Sequence, residues 1–321
     1  MSMEVGGYFN LELNPKQNHL HKDAFACNTG RNAFEYILTT NNVKKIYVPY
    51  FTCDVIFEPI EKLAIPFEWY EIDKHLELKN ELHNLGEGDY ILYTNYFGIK
   101  DEYITKLAKT YPNNLIIDNA QALFSTPISN IPTFYSPRKF IGIPDGGYVY
   151  LDKEKDVDQF EFDYSYDRCQ HLLKRLECDG AEGYSDFKEN SDKLSKQPIK
   201  KMSVLTKRMI SSVNLNTIIK RRIKNFIYLH EKLGGLNELS INVTEKSVPM
   251  VYPLLITKEG LKEMLISNQV FVATYWPNVF EWSKKGSLEY SLAKYIIPLP
   301  IDQRYSTNEM KVITSIIWEH K

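Results

Sequence analysis

Two stretches decide the reading: Leu115-Ile116-Ile117-Asp118-Asn119-Ala120-Gln121, and the longer Phe134-Tyr135-Ser136-Pro137-Arg138-Lys139-Phe140-Ile141-Gly142-Ile143-Pro144-Asp145-Gly146-Gly147. In the first, an unbroken apolar run meets an acid and two amides. Such a run marks a parallel strand buried on both faces, and the polar residues directly after it sit where α/β sheets place ligand-binding groups. A carboxylate there is partly desolvated unless something cationic or hydrogen-bonding meets it. Asp118 therefore reads either as the N-cap of a following helix or as the partner of a cationic ligand nitrogen. In the second stretch Lys139 lies among aromatic and aliphatic neighbours. That predicts a low-polarity site, where burial disfavours the ammonium form and suits the amine to imine formation. Taken by itself, Lys139 reads rather as a solvated surface lysine.

Outward from these stretches, residues 28 to 152 alternate short apolar strands with helical stretches. Strands are predicted at Lys45 to Pro49, Phe67 to Ile72, Tyr90 to Asn95, Leu115 to Asp118 and Gly147 to Leu151, with helices at Arg31 to Thr39 and Asp101 to Thr110. This is the pattern of an α/β domain with a mostly parallel sheet between helices. Thr29-Gly30-Arg31 opens the first helix with an N-cap and a glycine, a natural seat for a phosphate, although an isolated match of this kind is better explained by a turn and a cap. The charged, tyrosine-rich section from Glu154 to Lys201 reads as a connector with one amphipathic run, Arg168 to Leu176. Beyond it come a long helix from Met202 to Leu233, or two joined near Asn214, a strand at Met250 to Ile256, a helix at Gly260 to Ser267, a strand at Val270 to Thr274 and a last helix at Thr307 to Glu319. The expected division is residues 1–200 as a large domain with connector and residues 201–321 as a small α+β domain.

The composition narrows the function classes. A chain of 321 residues with 43% hydrophobic and 25% charged residues can bury one large core and a smaller one. A net charge of -2 gives no long-range attraction for nucleic acid or anionic lipid. Local basic stretches, Lys200-Lys201 and Lys220-Arg221-Arg222, read as solvated helix faces or as contacts to one anionic ligand. Cys27, Cys53, Cys169 and Cys178 have neither metal-ligand nor redox spacing, so no metal site and a reducing cytoplasm are expected. No apolar run is long enough to span a bilayer. His171 and His230 fall on predicted helices and read as structural.

In combination the motifs resemble the DegT/DnrJ/StrS-type sugar aminotransferases, a branch of the fold-type I pyridoxal-phosphate (PLP) enzymes. The resemblance rests on Thr29-Gly30, on Asp118-Asn119-Ala120-Gln121, and on Lys139 seven positions before Gly146-Gly147. It extends to Tyr96-Phe97-Gly98, Met202-Ser203-Val204-Leu205, Arg221-Arg222 and Leu299-Pro300, nearly the whole chain. It implies that Lys139 carries the cofactor as a Schiff base and shuttles protons, and that Asp118 keeps the pyridine nitrogen protonated. Gln121 would contact the ring's phenolic oxygen or its face. Thr29, Gly30 and Arg31 would hold the phosphate by backbone amides, with Ser136 as a side-chain donor. The family's stacking aromatic corresponds to Cys53, for which Tyr50 or Phe51 would substitute. Tyr96, Arg304 and Tyr305 are the candidate substrate contacts, and Tyr275-Trp276-Pro277 the candidates for interface or pocket.

The function so implied is amino transfer from an amino acid, glutamate first, to a keto-sugar, nucleotide-linked, in surface polysaccharide or amino-sugar biosynthesis. PLP and its pyridoxamine form would be the cofactors and a homodimer would share the sites. Three alternatives stand beside it: a PLP-dependent sugar dehydratase, which in the family replaces the lysine by histidine; transfer to a smaller keto compound without a nucleotide; and an inactive sensor or scaffold.

Overall fold

The computed structural model describes residues 5–16, 20–152, 156–244 and 247–320. Its centre is a seven-stranded sheet built from β1 (Phe25–Cys27), β2 (Lys45–Pro49), β3 (Phe67–Tyr70), β4 (Asp89–Thr94), β5 (Leu115–Asn119), β6 (Thr133–Tyr135) and β7 (Gly147–Tyr150). The strand order is β1-β7-β6-β5-β4-β2-β3. Strands β2 to β6 pair in parallel, and β7 runs antiparallel to both β6 and β1. Every residue of β5 is buried, as its unbroken apolar run requires.

Helices cover the sheet. The helix α1 (Gly30–Thr40) packs on β6 and β7, followed in the chain by α2 (Phe57–Lys62) and α3 (Asp101–Thr110). Alternation of strand and helix sends the chain back across the sheet each time, so the C-terminal ends of β1 and of the parallel strands share one edge. The antiparallel β7 starts at that edge, with Gly147 opposite Cys27. The ligand-bearing turns of an α/β sheet collect at such an edge.

The connector holds two helices, α4 (Gln170–Glu177) and α5 (Tyr184–Lys193), the second of which the sequence reading does not predict. The long helical stretch divides into α6 (Val204–Ser212) and α7 (Leu215–Leu233) at Asn214, whose side chain caps α7 by accepting from the Thr217 amide. Then come β8 (Tyr252–Leu255), α8 (Leu261–Ser267), α9 (Val279–Trp282), α10 (Leu288–Tyr295), β9 (Ile296–Leu299) and α11 (Thr307–His320). Strands β8 and β9 form a separate antiparallel pair. The strand expected at Val270 to Thr274 is absent. Phe271 and Ala273 are exposed and no neighbour completes a ladder, so the alternation there belongs to a loop. One apolar cluster runs from Leu115 and Ile117 on β5 to Phe226, Tyr252 and Leu299, joining both sheets through shared packing.

No described helix is long and apolar enough to cross a membrane, and no metal-binding cluster of His, Cys, Asp or Glu occurs among the described residues.

Candidate active site

At the shared edge, the turn after β1 supplies Thr29, the end of β5 and the turn after it supply Asp118 to Gln121, and the turn after β6 supplies Ser136 to Lys139. Thr29 caps α1: its hydroxyl accepts from the Asn32 amide at 3.0 Å and donates to Asn32 Oδ1. The Gly30 and Arg31 amides remain outside the helix's own hydrogen bonding. Ser136 presses against this turn, since a Cβ on Gly30 would lie 3.2 Å from Ser136 Cβ and 3.4 Å from its hydroxyl. A hydroxyl and a helix N-terminus thus face one point, the donor set an anion needs. The Arg31 side chain turns away to Glu58 at 2.8 Å, leaving this residue only its backbone for the cradle.

The two glycines where β7 begins are explained by the same turn. A Cβ on Gly147 would collide with the Thr29 carbonyl, and Gly146 adopts φ +119° with Met202 and Pro137 packed over it. Asp145 beside them is fully buried and anchors the loop. Arg168 donates to it at 2.7 Å and to Asp163 at 2.5 Å, Thr206 donates to it at 2.5 Å, and Ser165 donates as well.

Asp118 is buried, and Oδ1 accepts from the Ala120 amide at 2.7 Å. Burial pushes its carboxyl above the ordinary value, against the pull of the Lys139 ammonium, the Ala120 amide and Thr94. Lys139 is exposed, in contrast to the low-polarity burial expected from its neighbours: Phe140 and Ile141 turn into the core while the lysine points out from the 3-10 turn. Its Nζ makes no hydrogen bond or ion pair with the described residues, and its charge is felt by both Asp118 and Cys53. A free amine therefore stands within electrostatic reach of a buried carboxylate that lacks a full counter-charge.

Lys139 opens into a cavity of about 450 Å³ that also touches Cys53, Gln121, Arg222, Tyr275 and Trp276. Gln121 Oε1 accepts from the Phe97 amide at 2.8 Å. A backbone N-H can be met only by the oxygen, so Nε2, a donor, is what Gln121 has left for other partners.

Other sequence candidates fall elsewhere. Tyr96 is fully buried and its hydroxyl donates to the Phe51 carbonyl at 2.9 Å, so it positions the turn after β2 and does not reach substrate. Phe51 is fully buried edge-on to Trp276, and Tyr50 stacks on Trp69 at 4.7 Å, so neither lies on the cavity. Cys53 alone of that turn lines it. The aromatic walls come instead from Tyr275 and Trp276, held against this turn by Asn278, which donates to the Thr52 carbonyl. Arg304 lines the cavity mouth but is clamped by Asp302 at 2.8 and 2.9 Å, and it lies over the Tyr305 ring. Lys200 and Lys201 pair with Asp163 and Asp158. Arg222, read with its neighbours as part of a basic stretch, is 2% exposed and lines the cavity. No local motif marks this burial, because a buried arginine has no spacing signature.

The fold is that of PLP-dependent aminotransferases. A sugar aminotransferase from Micromonospora echinospora superposes with a TM-score of 0.64 at 13% identity, over 92% of this chain and 86% of its own. A DegT DnrJ EryC1 StrS aminotransferase from Brucella abortus gives 0.60 at 16% identity, over 92% and 85%. The E. coli GDP-4-keto-6-deoxy-D-mannose-3-dehydratase with bound hydrated PLP gives 0.61 at 16% identity, over 91% and 87%. No protein-family model matches the sequence, and no curated protein matches it either. At these identities the likeness is one of fold, and the chemistry rests on the residues themselves.

Proposed function

We propose that this chain is a PLP-dependent aminotransferase that moves an amino group from an amino acid, glutamate first, to a keto-sugar, nucleotide-linked. The observation that carries the reading is the unpartnered Lys139 amine within electrostatic reach of a buried, under-compensated Asp118 at one sheet edge, beside the Gly30 and Ser136 cradle. These residues fit the cofactor's three demands: an amine to bind its aldehyde, a carboxylate to meet its ring nitrogen and an oxyanion seat for its phosphate.

In this reading the Gly30 and Arg31 amides and the Ser136 hydroxyl hold the phosphate. Asp118 would hold a proton on the ring nitrogen, and the ring's positive charge would relieve the burial cost of the carboxylate. Gln121 donates from Nε2 to a ring oxygen. Bound there, PLP supplies an electron sink for cleavage of a bond at the substrate carbon. Lys139 Nζ would take the proton released at the substrate carbon and return it, and its exposure on the cavity leaves room for the exchange of amines. Tyr275 and Trp276 exclude water from one wall.

Dehydration of a keto-sugar is the second reading, supported by the activity named for the E. coli neighbour. The amine at position 139 favours transfer. A homodimer, a cytoplasmic location, a role in surface polysaccharide or amino-sugar biosynthesis and a domain division at residue 200 belong to the same proposal.

The test is the spectrum of the purified chain with added PLP. A visible band that glutamate bleaches, with release of 2-oxoglutarate, is expected for the parent, and Lys139→Ala should lose both. A colourless parent, or normal turnover by Lys139→Ala, rules the reading out.

A further inference from the structure

Arg222 stands in an unusual state for a buried cation. It sits on α7, 2% exposed, in the wall of the cavity that holds Lys139. Nη1 donates to the Met250 carbonyl at 2.7 Å and the guanidinium lies 4.6 Å from the Phe140 ring. Its Nε is buried with no hydrogen-bond partner. Among the described residues no carboxylate forms an ion pair with it. Asp302 also lines the cavity and its charge reaches Arg222, but both Asp302 oxygens are held by Arg304.

The contrast with Arg168 is instructive. That guanidinium is 9% exposed and is neutralised by two carboxylates, whereas Arg222 is more deeply buried and has none paired to it. Removing a cation from water costs several kcal/mol unless an opposite charge and hydrogen bonds replace the lost solvation. Burial accordingly pulls the Arg222 pKa down to about 10. A guanidinium offers a planar fork that matches the two oxygens of a carboxylate or phosphate.

We infer that Arg222 is the oxyanion-binding residue of this cavity, seating a carboxylate or phosphate group of a substrate whose reacting atoms meet Lys139. Arg304, already charge-paired with Asp302 and open to solvent, is a rim residue. The inference rests on the proposed function only for calling the anion a substrate; the anion site itself requires no cofactor.

Isothermal titration calorimetry of the full chain, with and without PLP, tests it using glutarate, inorganic phosphate and uridine diphosphate as probes. At least one should bind the parent, and Arg222→Gln should weaken it by about tenfold or more, the worth of one charge-assisted fork. Arg304→Gln should weaken it about threefold at most, and Arg222→Lys, which keeps the charge, should fall between. Glutarate binding alone identifies the amino donor's carboxylate, and diphosphate or phosphate binding alone the acceptor's. The melting temperature of Arg222→Gln without anion should equal or exceed the parent's. Failure of all three probes to bind the parent overturns the inference, as does parental affinity in both Arg222 variants. Arg222-dependent anion binding in a chain that never binds PLP would sink the proposed function and leave this site standing; the converse result would do the reverse.

Discussion

Gly147 lies directly against Thr29: a Cβ there would overlap the Thr29 carbonyl and stand 3.0 Å from the Gly30 amide. The first residue of β7 is thus the floor of the turn that opens α1. Gly147→Ala should force the two backbones apart at a cost of about 1–3 kcal/mol, the usual range for overpacking. Because the displaced amide is Gly30's, PLP affinity should fall more than stability does. Denaturant unfolding alongside a cofactor titration checks this, and an alanine variant with parental values for both would contradict the geometry.

Asp118→Asn keeps the shape and removes a charge that burial makes costly. The carboxyl is raised in the folded chain, so the native state pays a charging penalty that appears as pH rises through the ordinary aspartate range near 3.8 and is complete above the raised value. Below that range both states are protonated and the penalty vanishes. The cofactor-free asparagine variant should therefore match or exceed the parent in stability at pH 7 and lose that advantage in acid, while binding PLP more weakly. Paired melting curves across pH measure the first effect and cofactor titration the second.

His21 gives a pH dependence of the opposite kind. Its Nε2 meets the Leu123 carbonyl at 2.7 Å and must carry the proton, while Nδ1 faces the Tyr150 hydroxyl at 3.1 Å. Burial lowers its pKa from 6.5 to about 4. Stability is then full above 6.5 and declines as pH falls towards 4, because the unfolded chain takes up the proton first. At about 1.4 kcal/mol per unit the loss reaches roughly 3 kcal/mol. His21→Phe should flatten the stability curve in that window, measured by urea unfolding at several pH values.

Arg168→Met should be far more damaging than any change at Arg222. It strands the fully buried Asp145 without a cation and leaves Asp163 only the longer Lys200 contact, and breaking such a network typically costs about 3–5 kcal/mol. Urea unfolding of the two arginine variants side by side would show the difference, and a neutral outcome at Arg168 would mean the network relaxes.

The sheet was legible because its strands announce themselves. Leu115 to Ile117 is apolar without interruption, and the polar residues after it lie where such strands deliver them. The strands β1 and β6 were not legible, since three residues each carry no period. Helix α5 was hidden by its composition, YSDFKENSDK, which is polar on nearly every face. Among the candidates, Thr29 opens a helix, Asp118 ends an apolar strand and Lys139 lies in an apolar run, whereas Gln121 and Ser136 are named by the resemblance alone. The exposure of Lys139 was not legible, for Phe140 and Ile141 look apolar in sequence whether they surround the lysine or turn their backs on it. Tyr96 and Phe51 misled for a related reason: an aromatic beside a ligand and an aromatic under the ligand's support have the same local neighbours.

The reversed direction of β7 makes the segment from Lys139 to Gly146 a stitch of fixed length. Both of its ends are fastened to one margin of the sheet, at the 3-10 turn after β6 and at Gly147 opposite Cys27, and Asp145 rivets the second of them. One added residue would push on both fastenings, and the strain would reach Lys139 and the Thr29–Gly30 turn together.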